Sequence, residues 1–402
     1  MSTAHKKVRT LKLDFDLGAA MTGFGSATRP TPAHHTIMKH YSSPLLMGPP
    51  PSDMLLEIVM HMFTDEEAEF AALLPPLRPR TAAKVAKLAG RPVDEVERVL
   101  HNLAFNKIVL LASGDPRKYT ILPIVPGTFE MALMTNDLST RNAWHQKFAA
   151  LFERLWETGY LAQYASAMNR PPVRYLPVTG LTKTLYMAWP SDLLEEILEP
   201  YHDFAVGHCQ CRLAMQLVDK GCGKSTENCT VFGPLAKPLV ERGMMRKSDR
   251  REILEIKKKA ELEGLVTWTM NDGGDNRGNG SCSCCGCCCH ALRGVRDFNT
   301  PGLISKPHFM PARDVAKCTV CAKCVKACPM GAWTLVDKTI SFNRARCIGC
   351  GLCAAACKKD ALKLEPVPDA RPPLESMRRI WLGMAPGYLK NSVRIWAKRL
   401  FT

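Results

Sequence analysis

The spacing of apolar positions predicts short amphipathic elements in the first third of the chain. Apolar residues recur at helical spacing in RPVDEVERVLHNLAF at Val93, Val96, Val99, Leu100 and Leu103. TAAKVAKLAG predicts a shorter helix before it, which begins after Thr81 and ends at Gly90. Apolar runs on either side of Gly114-Asp115-Pro116 predict a hairpin after it.

Helix, turn, helix and hairpin together resemble a winged-helix domain, which we expect over residues 51–127. A helix at its start is predicted after Ser52, and residues 1–50, rich in Pro, Gly, Thr and His, are expected to be an irregular arm. Recognition of DNA needs cationic or amide side chains toward the bases. The second helix instead balances Arg and Lys against Asp94, Glu95 and Glu97, so a structural or docking role is favoured and nucleic acid is an unlikely partner.

The segments after this domain carry two further patterns. NAWHQKFAALFERLWETGYLAQY and SDLLEEILEPYHDF follow the helical period, so residues 128–300 are predicted to be helical and then cysteine-rich, with GGDNRGNGS as a loop. EPVPDARPP is a proline-broken linker into the tail at residues 367–402. Basic residues alternate there with apolar ones from Tyr388 on, which predicts a basic amphipathic helix.

Composition narrows the class of protein. The 402 residues are 46% hydrophobic and 23% charged, as in soluble globular proteins, and no apolar run approaches a membrane-spanning length. The start of the chain does not have the pattern of a secretory signal, so we expect a cytoplasmic protein. The net charge of +16 favours an acidic redox partner protein, and the tail suggests peripheral contact with an anionic membrane.

The cysteines give the strongest chemical signal. All 18 lie between Cys209 and Cys357, and a chain of this kind in a reducing compartment uses such clusters to bind metal. KCTVCAKCVKACP and RCIGCGLCAAACK each have the spacing C-x2-C-x2-C-x3-C, and the second copy follows the first by 29 residues. AWTLVDKTISFN between them predicts two short strands around Asp337-Lys338.

The repeat resembles the bacterial two-cluster ferredoxins. The resemblance implies a ferredoxin-like domain over residues 305–366 with two 4Fe-4S clusters. One would be held by Cys318, Cys321, Cys324 and Cys357, and the other by Cys347, Cys350, Cys353 and Cys328. Two zinc sites are the alternative that C-x2-C pairs also allow.

Ten further cysteines form a second constellation, in HCQCR, GCGKSTENC and CSCCGCCC. Ten thiols are enough for one or two more metal sites, but adjacent cysteines cannot both bind one small ion without strain, so not all ten are expected to be ligands. The candidate metal ligands are Cys209, Cys211, Cys222, Cys229, Cys282, Cys284, Cys285 and Cys288. A further iron–sulfur cluster, a zinc ion and an unligated or redox-active thiol set all remain open. The arrangement resembles large anaerobe-type ferredoxin proteins, and Cys284-Cys285-Gly286 is similar to heterodisulfide reductases, although a suitable cysteine upstream is missing.

These observations predict an α+β protein with a winged-helix-like and helical N-terminal half, a cysteine-rich middle region and a C-terminal two-cluster ferredoxin-like domain. The expected function is electron transfer, as a carrier or as a subunit of an oxidoreductase. The alternatives are a redox enzyme with its active site at the second constellation and an iron–sulfur-dependent transcriptional regulator.

Overall fold

A computed structural model describes six stretches of the chain, at residues 23–165, 171–182, 192–271, 279–298, 304–373 and 376–400. The chain divides into two compact units, one of residues 1–164, 213–221 and 389–402 and the other of residues 165–212 and 222–388. Both helices and strands are abundant, as the predicted α+β class requires. Among the described helices, none is both long and apolar enough to cross a membrane.

The first unit is built mainly from helices. They are α1 (Pro32–Tyr41), α2 (Asp53–Met62), α3 (Asp65–Ala71), α4 (Ala82–Ala89), α5 (Val93–Phe105), α6 (Phe129–Leu133) and α7 (Ala143–Glu157). An antiparallel hairpin of β1 (Leu110–Ser113) and β2 (Lys118–Ile121) follows α5. The predicted succession of helix, turn, helix and hairpin is therefore present.

The ends of these helices match the expected capping residues. The Ser52 hydroxyl accepts a hydrogen bond from the Leu55 N–H, and the Thr81 hydroxyl does the same for the Lys84 N–H. Gly90 ends α4 at a φ of 67°, a left-handed conformation that glycine adopts without steric cost. The predicted starts of α2 and α4 and the predicted end of α4 are confirmed.

The prediction of an irregular arm through residue 50 is wrong for Pro32–Tyr41. This segment forms α1, with Thr31 as its N-cap and a proline in its first turn. His34, Ile37 and Tyr41 are buried on one face, at a spacing of three and four residues. The polar His34 hides that stripe from a hydrophobicity pattern, although its Nε2 bonds the Phe63 carbonyl oxygen in the interior.

A six-stranded sheet, which the sequence did not predict, lies within the region expected to be helical and then cysteine-rich. Between residues 162 and 298 the elements are α8 (Ala162–Ala165), β3 (Val173–Tyr175), α9 (Thr179–Thr182), α10 (Leu194–Leu198), β4 (Phe204–His208), α11 (Gln210–Leu217), β5 (Glu227–Phe232), α12 (Ala236–Glu241), β6 (Arg246–Ser248), α13 (Arg250–Leu262), β7 (Val266–Met270), β8 (Asn279–Cys284) and α14 (His290–Phe298). The strand order is β3-β7-β8-β5-β4-β6, and every neighbouring pair is antiparallel. Strands this short carry too few alternating positions to outweigh the helical segments beside them.

The sheet carries cysteines on its central strands. Cys229 lies on β5, and Cys282 and Cys284 lie on β8 with one residue between them, so they share a face of the sheet. The prediction of a loop at GGDNRGNGS is wrong for its last three residues, because they belong to strand β8 (Asn279–Cys284). Residues 272–278 lie outside the described part of the chain.

The repeat region builds two similar half-units. Its elements are β9 (Phe309–Arg313), α15 (Lys323–Ala327), β10 (Trp333–Val336), β11 (Thr339–Phe342), α16 (Leu352–Ala355) and β12 (Leu362–Pro366). β10 and β11 pair antiparallel across Asp337-Lys338, both at positive φ, which confirms the predicted pair of strands. β12 pairs antiparallel with β9 and so joins the end of the repeat to its beginning.

The C-terminal tail is helical over α17 (Met377–Leu400). Asn391 donates from its side chain to the Tyr164 carbonyl oxygen at 3.1 Å, and the Ser392 hydroxyl donates to the Pro44 carbonyl oxygen at 3.1 Å. Leu389, Val393 and Trp396, in contrast, are more than half exposed. One face of this helix is therefore packed against the chain and another presents apolar side chains to solvent.

Candidate metal centres

The second copy of the repeat surrounds a cavity with four thiols. Three of them, Cys347, Cys350 and Cys353, come from one tight loop and the start of α16, and the fourth is Cys328 at the end of α15 in the first copy. Apolar side chains complete the lining, at Pro311, Met330, Ala332, Trp333, Phe342 and Ile348. The structure thus brings together the four cysteines that the resemblance grouped as one ligand set.

The loop that carries these thiols depends on glycines. Gly349 and Gly351 have φ values of 71° and 75°, and a Cβ on Gly349 would lie 2.7 Å from the Phe309 carbonyl oxygen. Burial raises the pKa of Cys347 to about 11 and that of Cys353 to about 12. A bound cation is what would make such thiols ionise at neutral pH, because the metal replaces the proton.

The first copy of the repeat lies closer to the surface. Cys321 is exposed, Cys318 and Cys357 are partly buried, and Cys324 is buried in a cluster with Trp333 and Cys357. The Lys323 backbone N–H donates to the Cys321 sulfur and lowers the pKa of that thiol. The loop that carries Cys318 and Cys321 therefore combines thiols, backbone donors and solvent access.

The second constellation separates into two groups of thiols. Cys222, Cys285, Cys287 and Cys288 form the first group, which we call the four-thiol site, and all their sulfur atoms lie within 4.8 Å of one another. The Cys222 and Cys285 sulfurs are 3.9 Å apart, and those of Cys287 and Cys288 are 3.8 Å apart. A tetrahedral zinc ion with Zn–S bonds of about 2.3 Å needs thiolates about 3.8 Å apart.

This geometry corrects the expectation that neighbouring cysteines do not share a site. Cys287 and Cys288 are adjacent and both belong to the four-thiol site, although Cys287 is not among the ligands predicted from the sequence. The turn after β8 allows it, because Gly286 packs so closely on the Pro329 backbone that a Cβ would lie 1.9 Å from the Pro329 oxygen. Hydrogen bonds from Cys222, Cys287 and Cys288 hold the pKa of Cys285 well below its usual range.

The second group, which we call the six-thiol group, has its thiols in a continuous series of contacts. The order of the contacts is Cys229, Cys282, Cys284, Cys289, Cys211 and Cys209. Cys289, the second ligand candidate that sequence reasoning omitted, contacts both Cys284 and Cys211. The only signal for it in the sequence is membership of the CCC run, which does not distinguish Cys287, Cys288 and Cys289.

The effect of hydrogen bonds on the pKa of the thiols alternates along the six-thiol group. Those from Cys229 and Cys284 hold the pKa of Cys282 well below its usual range, and those from Cys211 and Cys284 do the same for Cys289. A hydrogen bond from Cys211 also lowers the pKa of Cys209. Neighbouring thiols of the series are thus in hydrogen-bonding contact with one another.

Two buried cations lie beside these sulfurs. Arg212 is 1% exposed and donates to the Ser225 and Ser283 carbonyl oxygens, and its Nη1 lies 3.9 Å from the Cys285 sulfur. Lys257 on α13 is 1% exposed and donates to the Asn228 and Ser281 carbonyl oxygens. Burial lowers the pKa of Lys257 to about 8, against the opposing attraction of Cys282 and Cys229.

Comparison with known proteins agrees with these centres in the repeat region. Residues 310–358 match the model of a 4Fe-4S dicluster domain. The chain is 39% identical over 57 residues to the "Pyruvate synthase subunit PorD" of Methanothermobacter marburgensis, which is 14% of this chain and 67% of that protein. It is 31% identical over 99 residues to the "Putative oxidoreductase AegA" of Escherichia coli (strain K12), which is 22% of this chain and 15% of that protein.

The chain spans only 15% of the length of AegA, and the two matches cover only a part of this chain. No solved structure matches it. The domain match nevertheless contains all eight cysteines of the repeat, including the four that line the cavity. The chain belongs to the iron–sulfur proteins that carry a 4Fe-4S dicluster domain.

Proposed function

We propose that this protein transfers electrons through two 4Fe-4S clusters, as a carrier or as a subunit of a larger oxidoreductase. Cys318, Cys321, Cys324 and Cys357 hold the first cluster in this proposal, and Cys347, Cys350, Cys353 and Cys328 hold the second. The observation that carries the proposal is the apolar cavity with four thiols, because an iron–sulfur cluster needs one thiolate per iron and little access for water. The clusters would supply one-electron chemistry, while the chain sets burial and the choice of partner.

The surface around the first cluster suits an acidic redox partner. Cys321 is exposed and Val320 is 37% exposed, so electrons can leave from this loop without crossing much protein. Exposed cations surround the repeat region at Lys317, Lys323, Lys326, Lys338, Arg344, Arg346, Lys358, Lys359 and Lys363. Opposite charges steer association at low salt, and a steered reaction slows as ionic strength rises.

The four-thiol site is proposed to hold one zinc ion. Its sulfur spacing fits a tetrahedral ion, and four thiolates form a closed site of the structural kind. In this role the ion ties Cys222 to the turn at Cys285, Cys287 and Cys288. No water-accessible fourth position is left for catalysis, so we favour the electron carrier over an enzyme with its active site here.

Residues 51–127 are proposed to form a winged-helix domain with a structural or docking role. An isolated bridge between Arg80 and Tyr119 adds a third strand position to the hairpin. Cations on and near α5 are engaged with acids, in the pairs Arg91–Glu95, Arg98–Glu66 and Arg117–Glu97. That balance disfavours a DNA-binding regulator, since phosphate contacts need unpaired cations.

Peripheral membrane contact is proposed through the outer face of α17. Leu389, Val393 and Trp396 are exposed there, and Lys390 and Arg394 beside them are exposed as well. Such a face combines apolar burial with attraction to anionic lipid. Sedimentation with anionic liposomes tests it, since Trp396→Ser should weaken binding, whereas equal binding by both forms would reject the contact.

Metal and spin counting on the anaerobically purified protein tests the electron-transfer function. We expect Cys324→Ser and Cys350→Ser each to remove about four irons per chain and one reduced cluster signal in electron paramagnetic resonance. Lys317→Ala serves as a control that leaves the iron count unchanged. Full iron content in both cysteine variants would overturn the proposed ligand sets.

A further inference from the structure

We propose that the six-thiol group binds an iron–sulfur cluster of its own, a third redox centre beside the two clusters of the repeat. Its thiols come from three separate parts of the chain, with Cys209 and Cys211 at the start of α11, Cys229 on β5, and Cys282, Cys284 and Cys289 on and after β8. Each is buried or partly buried, and they form the continuous series of contacts described above. Because the fold brings six thiols together from such distant positions, we interpret them as one site.

The spacing of the sulfurs separates this group from the four-thiol site. In the part of the chain that the structure describes, the six sulfurs are not all gathered within 4.8 Å of one another, as those of the four-thiol site are. One tetrahedral ion requires thiolates about 3.8 Å apart on every side. A cluster with several iron atoms takes thiolates on different metals and so accepts a more open arrangement.

The buried cations give an independent argument for negative charge. Arg212 and Lys257 donate hydrogen bonds to neutral oxygens of Ser225, Ser281 and Ser283, and among the described residues no carboxylate lies within ion-pair distance of either. Burying a charge without an opposite partner is costly. A four-iron cluster with four thiolates carries a net charge of about −2. Lys257, which is attracted to Cys282 and Cys229, offsets part of that charge, whereas Arg212 also lies beside Cys285 of the four-thiol site.

Polar groups approach the sulfurs as the environment of a cluster requires. The Gln210 side-chain nitrogen lies 3.7 Å from the Cys229 sulfur, and the Tyr175 hydroxyl lies 3.9 Å from the Cys289 sulfur. Hydrogen bonds to ligating sulfurs tune the reduction potential of iron–sulfur clusters. Six thiols suffice for a four-iron cluster and leave two that can donate further S–H hydrogen bonds to it.

The site lies beside the buried cluster of the repeat, within the same unit of the structure. Cys284 and Cys289 share one hydrophobic core cluster with Met330, Ile348 and Cys350. We therefore infer that one electron passes between the two centres, one reduced by one unit as the other is oxidised, with no bond formed and no proton moved. This exchange rests on the proposed function, because it needs the cluster held by Cys350, whereas the site itself does not.

Three serine variants of the full-length protein, loaded anaerobically with iron and sulfide, test the site. We expect about twelve irons and one zinc per chain in the unchanged protein. Cys282→Ser should lower the iron to about eight with the zinc retained, and Cys287→Ser should remove the zinc with the iron retained. In the reduced protein, Cys282→Ser should also remove the spin–spin broadening that a neighbouring cluster imposes on the signal of the repeat.

Two outcomes would overturn the proposal. The first is a Cys282→Ser protein with unchanged iron content. The second is a protein without substitutions that contains only about eight irons and, by spin counting, two fully occupied clusters. This result would exclude the third cluster even if Cys282→Ser does not fold. Loss of iron in Cys324→Ser and Cys350→Ser tests the proposed function separately, since neither residue belongs to the six-thiol group.

Discussion

Two buried lysines differ in how their charge is compensated. Lys107, in the first unit, donates to the Gly25 and Met62 carbonyl oxygens and to the Glu67 carboxylate at 2.6 Å. Lys257, in the second unit, donates to two carbonyl oxygens and the Ser283 hydroxyl, and the attraction of the Cys282 and Cys229 thiols opposes the lowering of its pKa by burial. Both side chains are at most 1% exposed.

The two regions therefore differ in what compensates the buried charge and so stabilises the fold. In the cysteine-free region the chain supplies both charges of the buried Lys107–Glu67 pair, so the charge of Lys107 is compensated without a cofactor. Around Lys257 the chain supplies the cations and the thiols, and the thiols become fully anionic when a metal takes their protons. Folding of the second interior should therefore depend on metal, and that of the first should not.

The largest effect is expected for Lys107→Met. It leaves the Glu67 carboxylate buried without its partner, which should lower the free energy of opening around α5 by about 3–5 kcal/mol. Hydrogen exchange at the amides of α3 and α5 measures it in the metal-loaded protein, with the exposed Lys84→Met as the control. An unchanged exchange rate, or a loss of iron, would contradict the separation of the two interiors.

Acid should weaken the first interior through His61. Burial lowers the pKa of this imidazole to about 4, so the folded protein keeps it neutral while the unfolded chain, with a pKa of about 6.5, binds a proton. The contribution to stability is present above pH 6.5 and is lost as pH falls toward 4, by up to about 3 kcal/mol.

Hydrogen exchange in α2 and α7 between pH 7 and pH 5 measures this loss. His61→Gln removes the titrating group and should flatten the pH dependence, because the glutamine amide can still donate to the Trp144 carbonyl oxygen that His61 Nε2 contacts at 2.8 Å. The same slope in both proteins would exclude His61 as its source.

Lys257→Met should have opposite effects with and without metal. In metal-free protein with reduced thiols the lysine is a buried cation with little compensation, so its removal should stabilise β5 and β8 by about 1–3 kcal/mol. In the loaded protein the same change should weaken iron binding at the six-thiol group. Lys258→Met is the matched control, because Lys258 is exposed on the same helix. If Lys257→Met stabilised the protein both with and without metal, or destabilised it in both states, the difference between the two lysines would not hold.

The smallest effect is expected at an exposed pair. Arg98 and Glu66 lie 3.3 Å apart with both side chains exposed, next in sequence to the buried Glu67. Glu66→Gln should change the free energy of unfolding of this region by less than about 0.5 kcal/mol, because water screens the pair. A loss near that of Lys107→Met would show that burial is not what distinguishes the two pairs.

Local sequence patterns predicted the elements that depend on near neighbours. Ser52, Thr81 and Gly90 fix helix ends through bonds to residues within four positions, and Asp337-Lys338 fixes a two-residue turn. α1 was missed because its buried face includes the polar His34. The sheet was missed because strands of three to six residues gain their stability from partners far along the chain.

The sequence by itself determined the two C-x2-C-x2-C-x3-C motifs of the repeat, whose regular spacing places three thiols of each copy on one short segment. The proposed ligand sets take their fourth thiol from the resemblance to two-cluster ferredoxins. Only the tertiary structure decided how the other ten cysteines divide. Their sets join residues that are far apart in the sequence, such as Cys222 with Cys285 and Cys229 with Cys282, and the register of β5 against β8 selects which thiols meet. Neither that register nor the buried positions of Arg212 and Lys257 has a local signature, since both follow from how α11, α13 and the sheet pack together.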